Sequence, residues 1–405
     1  MATKCGVGYS NEADAKKAGE LAAKAALSQA GITDKPDFAM IFTTSRHDPK
    51  KFHSGVREVI GPNAKLAGGW MAGVITKDRH TYEGGETMVV AFKSDTVKFD
   101  VFMETGLVEH EKDVGKRLGA KMKAHKFEGE PKVFLFFDAV ARSLSEGGWG
   151  WNFASPLLAG LKESLGTWPV MAGAGLIGDM QFNPTWQWCN DELVQGAAIA
   201  VVFHGRVHMD TMTLHGCSPS STYLKLTKVE GPTILEINNR PALDVIREML
   251  GDASRTWEDY PLYLTLGLNR GDKYADFNEE AYMNRVGMAI DRERKAVVLV
   301  EGDFKEGDEV QVMSRSIDPE YMKPKLEAFG KRMDRTKPFL TFYIDCGARA
   351  AAFNPGTTFE DASLVQKALG TKAPLAGIYV GIEIAPIGGQ IERSVYTGVL
   401  SSLSD

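Results

Sequence analysis

Apolar residues along the chain fall into short runs separated by polar spans, and the runs recur in a fixed order. Near the C-terminus, Pro338 to Pro386 reads PFLTFYIDCGARAAAF, then a polar span ending in DASLVQKALG, then APLAGIYVGIEIAP. This is an apolar β-rich run, a short amphipathic helix and a second apolar run broken by small residues. Pro36–Arg46 (PDFAMIFTTSR) followed by Ala64–Ile75 (AKLAGGWMAGVI) is an earlier copy, and Pro131–Arg142 (PKVFLFFDAVAR) followed by Trp168–Met180 (WPVMAGAGLIGDM) is another. In all three a proline opens the first run, an arginine follows its last apolar residues, and the second run begins apolar-Ala-Gly. The first two copies continue alike as well, GGETMVVAF (Gly84–Phe92) against QGAAIAVVF (Gln195–Phe203). Matched segments in one order indicate internal repetition.

The spans between the runs fill in the elements. Ala18, Leu21, Ala22, Ala25 and Ala26 have helical spacing, with Ser10 or Asn11 as cap and Gly31 as stop. Further helices are predicted over Lys50–Ile60 and Lys112–His125, and residues 96–104 alternate as a half-buried strand does. From Gly205 to Ser221 the pattern changes, which suggests a seam. Beyond it come a strand, the turn Asn238-Asn239, a helix opened by Pro241, a strand over Pro261–Leu268, and three strands between Asn284 and Ser316. Strands outnumber helices and the helices lie between them. The expected class is α/β (mixed α+β), with mixed β-sheets flanked by helices and three related strand–helix–strand units in two domains. With 405 residues, the division is placed at 1–210, holding two units, and 211–405, holding the third.

Composition narrows the function classes. A formal net charge of −6 and the lack of a basic tract argue against nucleic acid and against an anionic membrane surface. No apolar run approaches a bilayer span, and the N-terminus lacks the apolar region of a signal peptide. Cys5, Cys189, Cys217 and Cys346 are scattered with no CxxC pair, as in a reducing compartment, so a cytoplasmic location is expected.

The candidate chemistry lies at the ends of the repeated runs. Arg46, Arg142 and Arg349 each follow a first strand, where open α/β sheets bind ligands, and a guanidinium there suits a carboxylate or phosphate. The alternative is that each caps a helix or pairs with Asp48, Asp138 or Asp345. Cys346 is either a thiolate activated by Arg349, making the chain an enzyme with a cysteine nucleophile, or a small buried hydrophobe. Glu383 stands between two isoleucines. With Tyr379 and Gly381 on its face by period two, it suits a ligand amine, the alternative being a pair with an arginine. Gly147-Gly148-Trp149-Gly150 and Gly388-Gly389 fit no nucleotide-binding pattern. No complete catalytic set is visible, so a binding protein rather than an enzyme is expected.

LAGGWMAGVI after PDFAMIF, NRPALDVIREMLG, FYIDCGAR and PLAGIYVGIEIAP together resemble the FIST domain, in its N-terminal and C-terminal halves and over essentially the whole chain. The resemblance implies an intracellular sensor of small ligands, amino acids among them, passing a signal to a separate protein such as a histidine kinase. It also implies an alternative, a haem protein sensing nitric oxide, for which His47, His53 and His204 are the candidate ligands. Relatives usually carry Gly-x-Ser-Thr-x-Gly-Glu-Ile in the first repeat. Here Gly68 to Ile75 has Trp70 and Met71 instead, and a pocket lined by Trp70 is more apolar.

Overall fold

The structure, a computed structural model, describes residues 2–82, 84–143, 150–179, 183–250, 258, 264–316, 319–351 and 360–405. The Gly147–Trp149 part of the glycine loop, Met180 and the first residues of the Pro261–Leu268 run lie outside the described residues.

The three first runs are the strands Phe38–Thr43, Lys132–Asp138 and Leu340–Cys346, and every residue in them is buried. Continuous apolar runs of this kind belong to strands covered on both faces. Each pairs in parallel with the second run of its own unit: Lys65–Trp70, Val170–Leu176 and Leu375–Val380. Gly68, Gly173 and Gly377 sit opposite Ile41, Leu135 and Tyr343. A Cβ on these glycines would lie 1.7, 2.2 and 2.4 Å from the partner's carbonyl oxygen, so only glycine fits. These contacts fix how the units align.

Each unit builds a six-stranded sheet in one spatial order. Its first strand lies at the edge (Lys4–Ser10, Val97–Thr105, His208–Leu214), beside its last strand (Thr87–Lys93, Ala197–Gly205, Gly398–Ser404), then the parallel pair. The remaining two strands are a hairpin borrowed from another unit. The first unit's hairpin, Gly73–Thr76 with His80–Thr81, completes the third sheet. The second unit's, Gln187–Cys189 with Glu192–Val194, completes the first sheet, and the third unit's, Ile382–Ile387 with Gln390–Ser394, completes the second. The exchange is cyclic. The phenylalanines of the first runs meet between the sheets, with Phe42 against Phe136 and Phe134 against Phe342 at 5.5 and 5.1 Å between centroids.

Two helices cover each unit. In the first, Ala15–Ala30 starts at Asp14, whose carboxylate accepts the Lys17 N–H, and Pro49–Ile60 starts at Asp48, which accepts from Lys51. Asp14 replaces the expected Ser10 or Asn11, because the chain extends four more residues before turning. The second unit has Glu111–Ala124 and Ala154–Leu165, and the third has Met322–Thr336 and Asp361–Leu369.

Between the third unit's first strand, His208–Leu214, and its first helix lies an inserted barrel. Glu309–Arg315 pairs with Leu224–Glu230 on one side and with Thr265–Asn269 on the other, and Thr233–Ile237, Ala296–Leu299 and Tyr282–Asp291 close the ring. Leu226, Ile237, Leu266, Val297 and Val310 are among its buried residues, and the helix Ala242–Leu250 packs on it. A division at residue 210 therefore runs through the first strand of the third unit.

Candidate functional site

The chain end of the strand Leu340–Cys346 is where charge gathers. Asp345, Arg349, Asp361, Glu360 and Glu383 are all buried there. Arg349 follows the strand on a single turn of helix, which carries its guanidinium back under the sheet. Its Nε lies 3.0 Å from Asp345 Oδ1, and its Nη2 pairs with Asp361. Nη1 donates to the carbonyl oxygens of Leu214 and, at 3.0 Å, Tyr396, while Nη2 also reaches Tyr321 Oη at 3.3 Å. Nη1 and Nη2 are taken up by the protein, while Nε faces Asp345 as an ion pair without making a hydrogen bond. Of the two sequence readings for Arg349, pairing with Asp345 is the one the geometry shows.

The acids around it are more numerous than the cations. Asp361 has a second partner in Arg315, at 3.2 Å. Glu360 accepts from Tyr82 Oη at 2.8 Å and from the Ala351 N–H at 2.7 Å, with Tyr379 Oη 3.5 Å away. Glu383 Oε2 accepts the Thr397 N–H at 3.2 Å, while its Oε1 is buried without a hydrogen-bond partner. Burial pushes the Asp345 carboxyl up to about 7 against the pull of Arg349, and pushes Glu383 well above the usual carboxylate range.

Cys346 is buried against this cluster. Burial first, and then the neighbouring Glu383, raise its thiol well above the ordinary value. The expectation that Arg349 would activate it is therefore not met: that guanidinium is paired with two aspartates, and the side chain set against the thiol is the Glu383 carboxyl. A buried thiol of this kind is a poor nucleophile.

Glu383 and Tyr379 meet here by a route the period-two argument did not contain. Gly381 is the crossing point between sheets, its N–H donating to Gly175 at 3.1 Å. Tyr379 belongs to the third sheet and Glu383 to the second, opposite Ala174.

The other candidates lie elsewhere. Measured from the aligned glycines, Arg46, Arg142 and Arg349 stand five, seven and six residues beyond Ile41, Leu135 and Tyr343, so they are not equivalent. Arg46 is exposed in a turn, and Arg142 is exposed and paired with Glu109 at 2.7 Å. Trp70 ends a strand of the first sheet, half-buried, with Gly178 against its ring. No hydrogen bond, ion pair or ring contact joins these three to the Arg349 cluster among the described residues.

A model of the FIST N domain matches residues 37–240, and one of the FIST C domain matches residues 242–386. The chain belongs to the FIST family. FIST domains are associated with signal transduction and small-ligand sensing. The chain is also similar to an uncharacterized protein of Methanocaldococcus jannaschii, 25% identical over 335 residues, which is 78% of this chain and 61% of the relative. It thus spans about three-fifths of the length of that relative. In this FIST protein the two matched domains meet between the barrel strand Thr233–Ile237 and the helix Ala242–Leu250.

Each histidine offered for haem has a ring nitrogen engaged, and His47 Nδ1 is buried without a partner. His47 Nε2 lies 2.7 Å from the Gly85 carbonyl oxygen and His53 Nε2 lies 2.9 Å from that of Asn190. His204 accepts the Glu128 N–H on Nδ1 at 3.0 Å, which leaves its proton on Nε2, 2.8 Å from Asp100. Asp100, His125 and His204 come close enough to suggest a cation site, in a cleft of about 680 Å³. The tautomer opposes it, since the nitrogen facing the site carries hydrogen. The same carboxylate already receives Lys65 Nζ at 2.5 Å. Among the described residues nothing supports a haem ligand, and Asp100, His125 and His204 are held together by contacts of their own. Among the described residues no helix is long and apolar enough to cross a membrane.

Sequence reading missed Tyr82, Arg315, Tyr321, Glu360 and Asp361. Glu360 and Asp361 open a helix, where acids are ordinary partners of the helix dipole and so carry no special signal.

Proposed function

We propose that this FIST protein senses a small primary amine, amino acids included, at the end of the strand Leu340–Cys346. One observation carries the reading: four buried carboxylates, Asp345, Glu360, Asp361 and Glu383, face only two guanidiniums, and Asp345 Oδ1, Asp361 Oδ1 and Glu383 Oε1 accept no N–H or O–H. An unpartnered buried acceptor is costly, and an ammonium group supplies three donors and the missing charge. The expected carboxylate contact through Arg349 is replaced by an amine contact through Glu383 and Asp345. A ligand there touches both sheets that meet at Gly381, so its arrival biases their relative placement. The signal then passes to a partner protein, a histidine kinase being the kind implied by the family resemblance.

The test is calorimetric titration with amino acids, simple alkylamines and their N-acetylated forms. Amines should bind and the N-acetylated forms should not, with Glu383→Gln weakening binding at least tenfold. Because both acids titrate high, a bound ammonium displaces protons. Affinity should therefore rise between about pH 6 and 8, with proton release seen as buffer-dependent enthalpy. Equal binding of carboxylates that lack an amine would overturn the proposal.

A further inference from the structure

The three helix pairs are equivalent in topology and differ in one respect. In the first unit, Gly19 and Gly55 lie at the crossing, where a Cβ would sit 2.5 Å from the Phe52 carbonyl oxygen and 1.9 Å from that of Lys16. In the second, Gly115 and Gly160 do the same, at 2.1 Å from the Leu157 oxygen and 1.9 Å from the Lys112 oxygen. Backbone touches backbone in both. Aligning the buried positions, Ala15, Glu111 and Met322 on the first helices and Val56, Leu161 and Val365 on the second, puts Leu326 and Leu364 where the glycine pairs stand. Two leucines cannot let the backbones meet, and the helices Met322–Thr336 and Asp361–Leu369 stand apart.

The gap is a groove of about 470 Å³ whose floor includes Leu326, Gly330, Leu364 and Ala368. It runs from Lys323 to Asp334, roughly 16 Å at 1.5 Å per residue, or three helical turns. Its charged rim has four lysines, Lys323, Lys331, Lys367 and Lys372, against Glu327 and Asp334. Lys372 pairs with Asp334 and Lys323 with Glu320, both at 2.5 Å. Lys331 and Lys367 are exposed and make no ion pair among the described residues.

We infer that this groove docks an acidic amphipathic helix of a partner protein, its apolar face taking the place of the helix–helix contact that the other two units make for themselves. An apolar floor between helices suits i, i+4, i+7 anchors, and the two lysines left without ion pairs, Lys331 and Lys367, outnumber the remaining acid, Glu327, and so select acidic flanks. The helix Asp361–Leu369 serves both places, but the groove and the Glu383 site share no lining residue, so either assignment can fail alone.

The experiment selects a displayed library of 16-residue helical peptides on the full-length protein, with the Lys331→Glu, Lys367→Glu double variant as counter-target. Both lysines are exposed, so the variant should melt as the parent does. The expected result is enrichment of peptides with Leu, Ile or Met at i, i+4 and i+7 and Asp or Glu between. These should bind the variant at least tenfold more weakly and should be lost on Leu364→Glu. Enrichment of basic peptides, binding indifferent to the charge reversal, or no enrichment would overturn it.

Discussion

The second and third units carry the same short pattern, an aspartate four residues before an arginine, and use it in opposite ways. Asp138 and Asp345 are both buried at a strand end and both pushed up to about 7 by burial. Around Asp138 the donors are backbone: the N–H groups of Gly196, Val140 and Thr185, at 2.9 to 3.1 Å. Its Arg142 points to solvent and pairs with Glu109. Asp345 instead faces a buried guanidinium that is shared with Asp361. Peptide groups can hold an aspartate as part of a scaffold without another charge. A charge-on-charge arrangement with surplus acid is a much less economical way to stop a strand, which is why the third unit is where a ligand is sought.

The contrast can be broken most strongly at Arg349. Arg349→Met strands Asp345 and Asp361, and should lower unfolding free energy by about 3–5 kcal/mol in urea titrations. A loss below about 1 kcal/mol would mean that other groups carry those acids. Asp138→Ala leaves three buried N–H groups without an acceptor and should follow at about 2–3 kcal/mol. The next effect is one of slope. An acid whose folded pKa is raised stabilises fully below its unfolded value and loses that contribution as pH climbs through about 7. Melting temperatures of the parent should therefore fall, relative to Asp345→Asn, between pH 5 and 7; parallel curves would sink the assignment. The smallest effect belongs to Arg142→Ala, within about 0.5 kcal/mol, since its pair is exposed.

Much of this architecture was legible in the chain. Three apolar runs opened by proline, each followed by an apolar-Ala-Gly run, gave the three parallel pairs, because buried strands and close-approach glycines leave a local signature. The hairpin exchange left none. A strand such as Gly73–Thr76 reads the same whichever sheet it joins, and its partner, Leu375–Val380, is far along the chain. The same blindness affected the site. Aligning the arginines by eye made Arg142 and Arg349 equivalent, whereas the glycine contacts show them one position apart. Period two placed Glu383 beside Tyr379 on one strand, when Gly381 changes sheets between them. Cys346 read as a thiol near a cation, because burial and the acid behind it come from segments distant in sequence.

The cyclic sharing of hairpins also dictates when the molecule can be finished. As the chain emerges from the ribosome, the first sheet has all its strands once Val194 is made. The second waits for the hairpin ending at Ser394, and the third for Gly398–Ser404. The hairpin Gly73–Thr81 is synthesised long before its partner strand Leu375–Val380, and until then its edge stays open to any passing strand. Closure of the second and third sheets thus waits on segments far along the chain, and is slow by virtue of these long-range pairings. Chains cut short before Leu375 should burden chaperones rather than accumulate as smaller folded pieces.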